Sequence, residues 1–491
     1  MDRSSDKQAG HRRGPGGGIL GPTVLALVVA LPATAAADSL PTNDYSLDLF
    51  QGPILAPLRV TGIAGAYAGY AEGIPGMVVN AAAPALREPF SIGWVDYDIS
   101  ASISIPLEMF ENNDFDNSGT RDADYSNFIY GTLGAMFQVG PFGAGANADL
   151  SRYDIEIGGQ RSAITLGRYH ILAGMHFFDG QFVVGGGARA VTMGVDAPNA
   201  TLTLLGIGPQ FGLMVRPDWS SWRFGATFRF PVDGGAFILG DDEAVDDDGI
   251  RSVGGLVLPD RVVLPWELEL GMAIQVGPRP FNPEWRNPRD EERDLREERE
   301  EARKAREERW AEDLREAESP EVRRELEQRH AALRTREAAR EQSDLERAYH
   351  ALKEDRRARA KNWPREHLLL TASLLVTGPV ERGVSMEWFL RGNVPDEPSK
   401  VGSSGAAVNF SPRFGIETEP VFNLIATRLG SYYEPSRFGQ VGRQHFTFGA
   451  DLKMFSTTFG GLVPEVTYSL RTAMDFAPRY ESVSLGLGVW R

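Results

Sequence analysis

A chain of 491 residues with a net charge of −16 and no cysteine excludes several kinds of function at the outset. Nucleic-acid binding wants a basic face, which a sequence with pI near 5.1 does not offer. Disulfide scaffolds and thiol-ligated metal centres need the cysteines that are absent. The chain opens with a basic segment ending at His11-Arg12-Arg13 and an apolar run from Ile19 to Leu31. Small residues follow at Ala33-Thr34-Ala35 and Ala35-Ala36-Ala37. That order predicts a cleavable secretory signal over residues 1–37, with the mature chain starting at Asp38. The run is short of the roughly 20 residues a spanning helix requires. An exported chain without such a helix is periplasmic, extracellular or an outer-membrane barrel.

Residues 38–90 are expected to form an inner hatch. Within 50–86 the sequence is rich in Gly and Ala, poor in charge and without a long helical or strand period. Gly62, Ala64, Gly65, Ala66, Ala68, Gly69 and Ala71 allow backbone to pack on backbone, so the stretch needs a cavity to fill. Phe50-Gln51, the run Gly62-Ile63-Ala64-Gly65-Ala66-Tyr67-Ala68-Gly69 and Asn80 resemble the hatch of the FadL-type outer-membrane long-chain fatty-acid transporters. That family usually has Asn-Pro-Ala where this chain has Asn80-Ala81-Ala82-Ala83-Pro84-Ala85, so the proline is displaced to Pro84. The resemblance implies a barrel of about 14 strands, passing hydrophobic small molecules without nucleotide or cofactor. It spans roughly residues 50–280 and 365–491, and no ligand-pocket residue of the family aligns by motif.

From residue 91 onward, segments alternate with period two. Residues 222–230 set Trp222, Phe224, Ala226, Phe228 and Phe230 against Arg223, Gly225, Thr227 and Arg229. Residues 262–275 set Val262, Leu264, Trp266, Leu268, Leu270, Met272 and Ile274 outward, against Pro265, Glu267, Glu269, Gly271 and Gln275. Residues 445–454 set Phe446, Phe448, Ala450, Leu452 and Met454 against His445, Thr447, Gly449, Asp451 and Lys453. A soluble sandwich alternates too, but the leader and the aromatic strand ends favour a lipid-facing barrel with a polar lumen. The expected fold is an all-β transmembrane β-barrel of about 14 antiparallel strands, with strands 1–8 in 91–285 and strands 9–14 in 363–491. The connections 106–126, 237–260 and 379–409 are long and polar. Those at Pro141-Phe142, Asp179-Gly180 and Pro217-Asp218-Trp219 are tight. Outer-membrane barrels put short turns in the periplasm and long loops outside, which fixes the direction of the strands. The last strand ends in Trp490 and Arg491.

One connection breaks this rule. Residues 286–362 are dense in Glu, Arg and Ala, good helix formers with opposite charges three and four apart. Ser319-Pro320 supplies a capping hydroxyl before a proline at the first helical position and starts a second helix. Leu326 with Leu333, and Leu345 with Tyr349 and Leu352, give a thin apolar seam. The insert is expected to be a charged α-helical hairpin in the periplasm, either a solvated spacer or a docking arm for a periplasmic protein.

Two constellations could carry chemistry. Asp114, Asp116, Ser118 and Asp122 follow the alternate-oxygen spacing of a calcium loop, with Gly119 at the turn. Tyr125 stands where a bidentate Glu would complete the set, so calcium affinity at such a site is weak, and the same residue types fill ordinary loops. The second is a set of lumen-facing charges: Arg223, Arg229, Glu267, Glu269, Arg413, Glu417, Glu419, Arg428 and Asp451. These either hold the hatch and one another across strands or line a polar path. His445, His367, His170 and His176 are the histidines of interest, but no G-x-S-x-G or H-E-x-x-H motif occurs, and no enzyme is expected. The hatch positions to examine are Gly62, Gly65, Gly69, Asn80 and Pro84. The expected function is passive uptake of fatty-acid-like hydrophobic molecules across the bacterial outer membrane, in contact with its lipid. The alternative is a barrel that transports nothing and anchors secreted or periplasmic partners through 286–362.

Overall fold

The computed structural model describes residues 38–39, 42–87, 93–106, 114–119, 123–198, 200–237, 243–391, 400–401, 403–457 and 466–489. The expected signal at 1–37, Asp122, and the terminal Trp490 and Arg491 lie outside these residues. Fourteen strands form the wall. They are β1 (Val95–Pro106), β2 (Ala123–Val139), β3 (Phe142–Ile157), β4 (Gln160–Phe177), β5 (Phe182–Ala197) and β6 (Ala200–Val215). β7 (Trp222–Arg229, continued by Val232–Phe237) and β8 (Arg261–Leu264, continued by Glu267–Val276) are each broken once. β9 (Leu368–Thr377), β10 (Asn409–Val421), β11 (Ile425–Glu434), β12 (Arg443–Thr457), β13 (Val466–Ala477) and β14 (Tyr480–Val489) complete the sheet. Each pairs antiparallel with its sequence neighbour, and Leu485 of β14 pairs with Ile105 of β1 to close the barrel.

Closure follows from the period of two. Every wall strand carries an outward apolar parity, with Ile103, Ile171, Ile207 and Phe446 all more than 60% exposed. A surface of that kind running around the whole molecule is not found on soluble monomers and belongs in lipid. The parity expected for β8 fails at its outer piece, where Val262 and Leu264 are 2% and 6% exposed and turn inward. Pro231 and Pro265 break β7 and β8 at the same level, because proline offers no N–H to the ladder. The pairs Arg229↔Glu267 and Val232↔Leu264 keep one register across both breaks. The inward side chains past the break pack on Leu47 and Leu49 of the N-terminal segment. That segment is stitched into the wall as a short strand, Ser46–Asp48, parallel to both Arg261–Leu264 and Gly383–Val384.

The hatch, residues 50–87, fills the lumen with the short helices Leu58–Gly62 and Gly73–Met77 and a 3₁₀ turn at Ala83–Ala85. It meets the wall where the wall has glycine. A Cβ on Gly225 would stand 2.0 Å from the Ala68 carbonyl oxygen, and one on Gly143 would stand 1.9 Å from that of Pro84. Gly185, Gly271, Gly430 and Gly449 make similar approaches to Ala81, Gly69, Ala64 and Gly62. Backbone therefore abuts backbone around the hatch, leaving no solute-wide gap at these points.

The insert forms the expected hairpin, α1 (Pro288–Arg315) and α2 (Pro320–Lys361), on the short-turn end. Asn287 caps α1 and Ser319 caps α2, each accepting from a backbone N–H. The 42-residue α2 extends about 63 Å at 1.5 Å per residue. Leu326, Leu333, Leu345, Tyr349 and Leu352 are half-buried. The arms are joined by ion pairs, with Arg306 on Glu337 at 2.8 Å, Arg356 on Glu292 at 3.4 Å and Arg359 on Glu291 at 3.4 Å. The base touches the barrel through Arg289, whose guanidinium lies 4.1 Å from the Trp94 ring centre.

Candidate functional site

The lumen is layered. Its outer half holds a large apolar cluster beside paired buried charges: Tyr45, Leu47 and Leu49 from the N-terminal segment pack on Ile155, Ile164, Met193 and Leu202 of the wall, while Glu434, Arg443, His445 and Asp475 pair near them. Phe389 and Leu390, from the outer-loop helix Met386–Arg391, join the same cluster. Below it lies a belt of charge, and below that the hatch.

Seven of the nine lumen charges named from the sequence come together in two groups, and Arg223 anchors a third with residues not named. Arg229 donates to Glu269 at 3.1 Å and to the Val78 carbonyl of the hatch at 3.1 Å. Glu267 also accepts from Arg189 at 2.8 Å, and Arg413 stands 3.6 Å from Glu269. In the second group Glu417 takes Arg59 of the hatch at 2.7 Å and Arg428 at 2.5 Å, and Arg428 reaches Asp451 at 2.7 Å. Glu419 stands apart, 3.9 Å from Arg365. The third centres on Arg223, 1% exposed, which donates to Glu72 of the hatch at 2.7 Å and to Asn282 Oδ1 at 2.7 Å. Arg223 also donates to the Phe281 carbonyl, and its guanidinium lies over the Phe281 ring. Residues after β8 thus seat the hatch from the short-turn end. No sequence signal pointed to Glu72, Asn282 or Phe281.

Buried charges on this scale are tolerable only when paired. Burial opposes ionisation of Glu72, but Arg223 and then Arg279 outweigh it and hold the carboxyl below its usual range. The hatch positions chosen from sequence are all buried. Asn80 donates to the Ala68 and Leu213 carbonyls, both at 3.1 Å, and accepts from the Ala82 N–H at 3.0 Å. It therefore ties two hatch turns to β6. Gly65 has φ +68°, a left-handed position, and a Cβ there would sit 2.8 Å from Arg413. The carbonyl of Pro84 accepts from Gln138 at 2.8 Å.

A cavity of about 130 Å³ lies in the charged belt, lined by Phe50, Leu55, Arg168, His170, Arg189 and Arg413 among others. The Nε donors of Arg168, Arg189 and Arg413 are buried without a hydrogen-bond partner among the described residues. A second cavity of about 20 Å³ sits higher, beside Leu58, Phe128, Tyr130 and Tyr480.

The four histidines named from the sequence are held by neighbouring side chains and carbonyls. His445 lies between Glu434 at 2.7 Å and Asp475 at 2.8 Å and stacks on Tyr432, with no hydroxyl nucleophile at either ring nitrogen. His170 bonds Gln210 at 3.0 Å, His176 stands edge-on to Trp285, and His367 contacts the Arg365 carbonyl at 2.7 Å. In the 114–119 loop, Asp114 Oδ1 accepts from the Gly119 N–H at 3.0 Å and Asp116 Oδ1 from the Ser118 N–H at 3.0 Å. Asp114 Oδ2 has the Arg479 guanidinium at 2.9 Å, a cation already in place. Among the described residues no three Asp, Glu or His side chains converge at metal distance.

No family model matches the sequence, and neither does any curated protein. Among solved structures the chain is similar to the CymD monoaromatic hydrocarbon channel, at 11% identity and TM-score 0.42 over 89% of this chain and 96% of that one. It is similar to a deltaS2 mutant of the TodX monoaromatic hydrocarbon channel at 10% identity and TM-score 0.43, covering 90% and 99%. The P. putida toluene transporter TodX gives 11% identity and TM-score 0.41, covering 88% and 98%. Strand register, closure and the apolar outer face themselves make this chain an antiparallel β-barrel of the bacterial outer membrane.

Proposed function

We propose that the barrel is a passive uptake channel for hydrophobic small molecules. The observation that carries this reading is the large apolar cluster in the outer part of the lumen, since a water-filled pore keeps its interior polar. A hydrophobic solute would leave the outer loops for that cluster and reach the periplasmic side when the hatch shifts. Hatch and wall backbones abut at the wall glycines, so a route past those contacts requires movement there. For a fatty-acid-like substrate, the chain would lie in the apolar layer and its carboxylate in the charged cavity. Arg168 and Arg413 there keep unpartnered donors that a carboxylate could take. Changing both to Gln is expected to lower uptake of a long-chain fatty acid about tenfold, the worth of one charge-assisted hydrogen bond. Uptake of a neutral hydrocarbon should stay near wild type. Cells that lack their own hydrophobic-uptake channels and are fed radiolabelled substrates would read both. Equal loss for acid and hydrocarbon would remove the carboxylate role.

The hatch–wall contacts favour a second reading, a scaffold that transports nothing and presents α1 and α2 to a periplasmic partner. The hairpin is polar all round and held by its own ion pairs, as expected for a projecting rod. Deleting 288–361 and joining the ends with a short Gly/Ser turn should leave a barrel that still shows heat-modifiable gel migration, because β8 and β9 remain paired along their length. Uptake that survives deletion supports the channel. Loss of periplasmic proteins recovered with the barrel, with no uptake in either form, supports the scaffold.

A further inference from the structure

We propose that the charged cavity selects head groups with three oxygens sharing one negative charge, a sulfonate or sulfate ester, over a carboxylate, and that Arg189 sets the choice. The inference rests on the uptake reading and names the class of amphiphile that the cavity holds. Three arginines from separate strands line it: Arg168 on β4, Arg189 on β5 and Arg413 on β10. Each keeps a buried Nε–H with no partner among the described residues. Arg189 is the most firmly held. It is 4% exposed, and its Nη1 donates to Glu267 at 2.8 Å. Its Nη2, the nitrogen that forms a fork with Nε, donates to the Phe230 and Pro265 carbonyls at 3.0 and 2.9 Å. Arg189 therefore offers one fixed donor and cannot grip a carboxylate with two. Arg168 gives a terminal nitrogen to Gln51 at 3.0 Å, and Arg413 stands 3.6 Å from Glu269. A carboxylate has two oxygens in one plane. With these on Arg168 and Arg413, the Arg189 Nε–H stays unmet, and an unmet buried donor costs stability. A sulfonate or sulfate ester has a third oxygen out of that plane to meet it.

Charge points to the same class. Arg168, Arg189, Arg229 and Arg413 line the cavity. Glu267, Glu269 and Asp149 line it too, which leaves an excess of one positive charge with His170 neutral. Glu267 and Glu269 are held by Arg189 and Arg229, and Asp149 accepts from Tyr130 and Asn147. A sulfonate or sulfate ester brings a single negative charge, which matches that excess. A phosphate monoester carries about 1.5 to 2 near pH 7, more than the excess offsets. Leu264, which lines the cavity, belongs to the apolar cluster of the outer lumen, and Leu55, which also lines it, packs against that cluster. A head group held here therefore sends its tail into apolar surroundings.

The test is calorimetric titration of the full chain in lipid nanodiscs at pH 7, with empty nanodiscs as reference. 1-Octanesulfonate and nonanoate share the same alkyl tail and the same charge, so the comparison isolates the head group. Wild type should bind octanesulfonate at least tenfold more tightly than nonanoate, and octyl sulfate should match the sulfonate. Equal affinities, tighter nonanoate, or octyl sulfate no better than nonanoate overturns the proposal. Arg189→Lys keeps a charge beside Glu267 and removes the Nε–H. It should bring octanesulfonate to within about threefold of nonanoate while nonanoate affinity holds, a result that general loosening of the lumen would not give. A tenfold preference that survives in this variant overturns the role of Arg189. Should Arg189→Lys fail to fold, the wild-type comparison decides. Uptake of radiolabelled substrates by cells separates this inference from the uptake reading. Fatty-acid uptake with no sulfonate preference refutes the head-group choice alone. Sulfonate preference with no uptake of acid, sulfonate or hydrocarbon refutes the channel alone.

Discussion

Arg223→Leu is expected to unseat the hatch while leaving most of the wall intact. Arg223 is the point where three separate pieces of chain meet: β7, the hatch through Glu72, and the segment after β8 through Phe281 and Asn282. Removing the guanidinium strands a carboxylate that is 4% exposed. Breaking a buried pair in this way costs about 3–5 kcal/mol. Because the wall strands keep their ladders, the loss should fall on hatch docking. Hydrogen exchange in residues 66–80 should rise by two orders of magnitude or more, while amides of β3 to β6 keep their protection. Arg223→Leu combined with Glu72→Leu should recover most of the protection, since neither member of the pair is then left buried without the other. Unchanged exchange in the single variant would show that the glycine contacts alone hold the hatch. The same pair sets a pH dependence. Glu72 titrates below its ordinary value, so its contribution is complete above about pH 4.3 and is lost as the pH falls through the lower folded value. Hatch protection should therefore fade more steeply in strong acid in wild type than in the double Leu variant, which keeps the Arg59–Glu417 pair of the hatch.

Ile171→Arg should destabilise the barrel by about 2–4 kcal/mol if the side chain lies at the bilayer midplane. Ile171 sits on the inner half of β4 and is 67% exposed, in a position where only lipid can cover it. Urea unfolding in large vesicles would measure the change. His170→Ala, the neighbour on the other parity, removes a bond to Gln210 inside the lumen and should cost about 1 kcal/mol. Equal effects from the two substitutions would contradict the assignment of faces.

Much of this architecture was legible in the sequence because it depends on local pattern. A period of two over segments such as 445–454 needs no knowledge of partners to predict a two-faced strand. The observed β12, with Phe446 63% and His445 0% exposed, follows it. The hairpin was equally local: Ser319 and Pro320 mark a helix start by chemistry within one turn. The lumen charges were identifiable as a set because they share the inward parity. Their partners were not, since Arg223 and Glu72 are 151 residues apart and meet only once the barrel has closed around the hatch.

The sequence by itself determined that this chain folds as a membrane barrel with a small-residue plug and a charged helical arm. Only the tertiary structure decided which wall glycine meets which hatch carbonyl, because that depends on the register of a closed sheet. It also decided that Val262 and Leu264 turn inward, because two prolines on neighbouring strands align at one level and reverse the parity beyond them. The packing of Phe115 against Tyr125, Phe128, Tyr153 and Tyr480 is of the same kind. Its rings come from an outer loop and from β2, β3 and β14, which no periodicity connects, and they face one another because closure brings the last strand against the first.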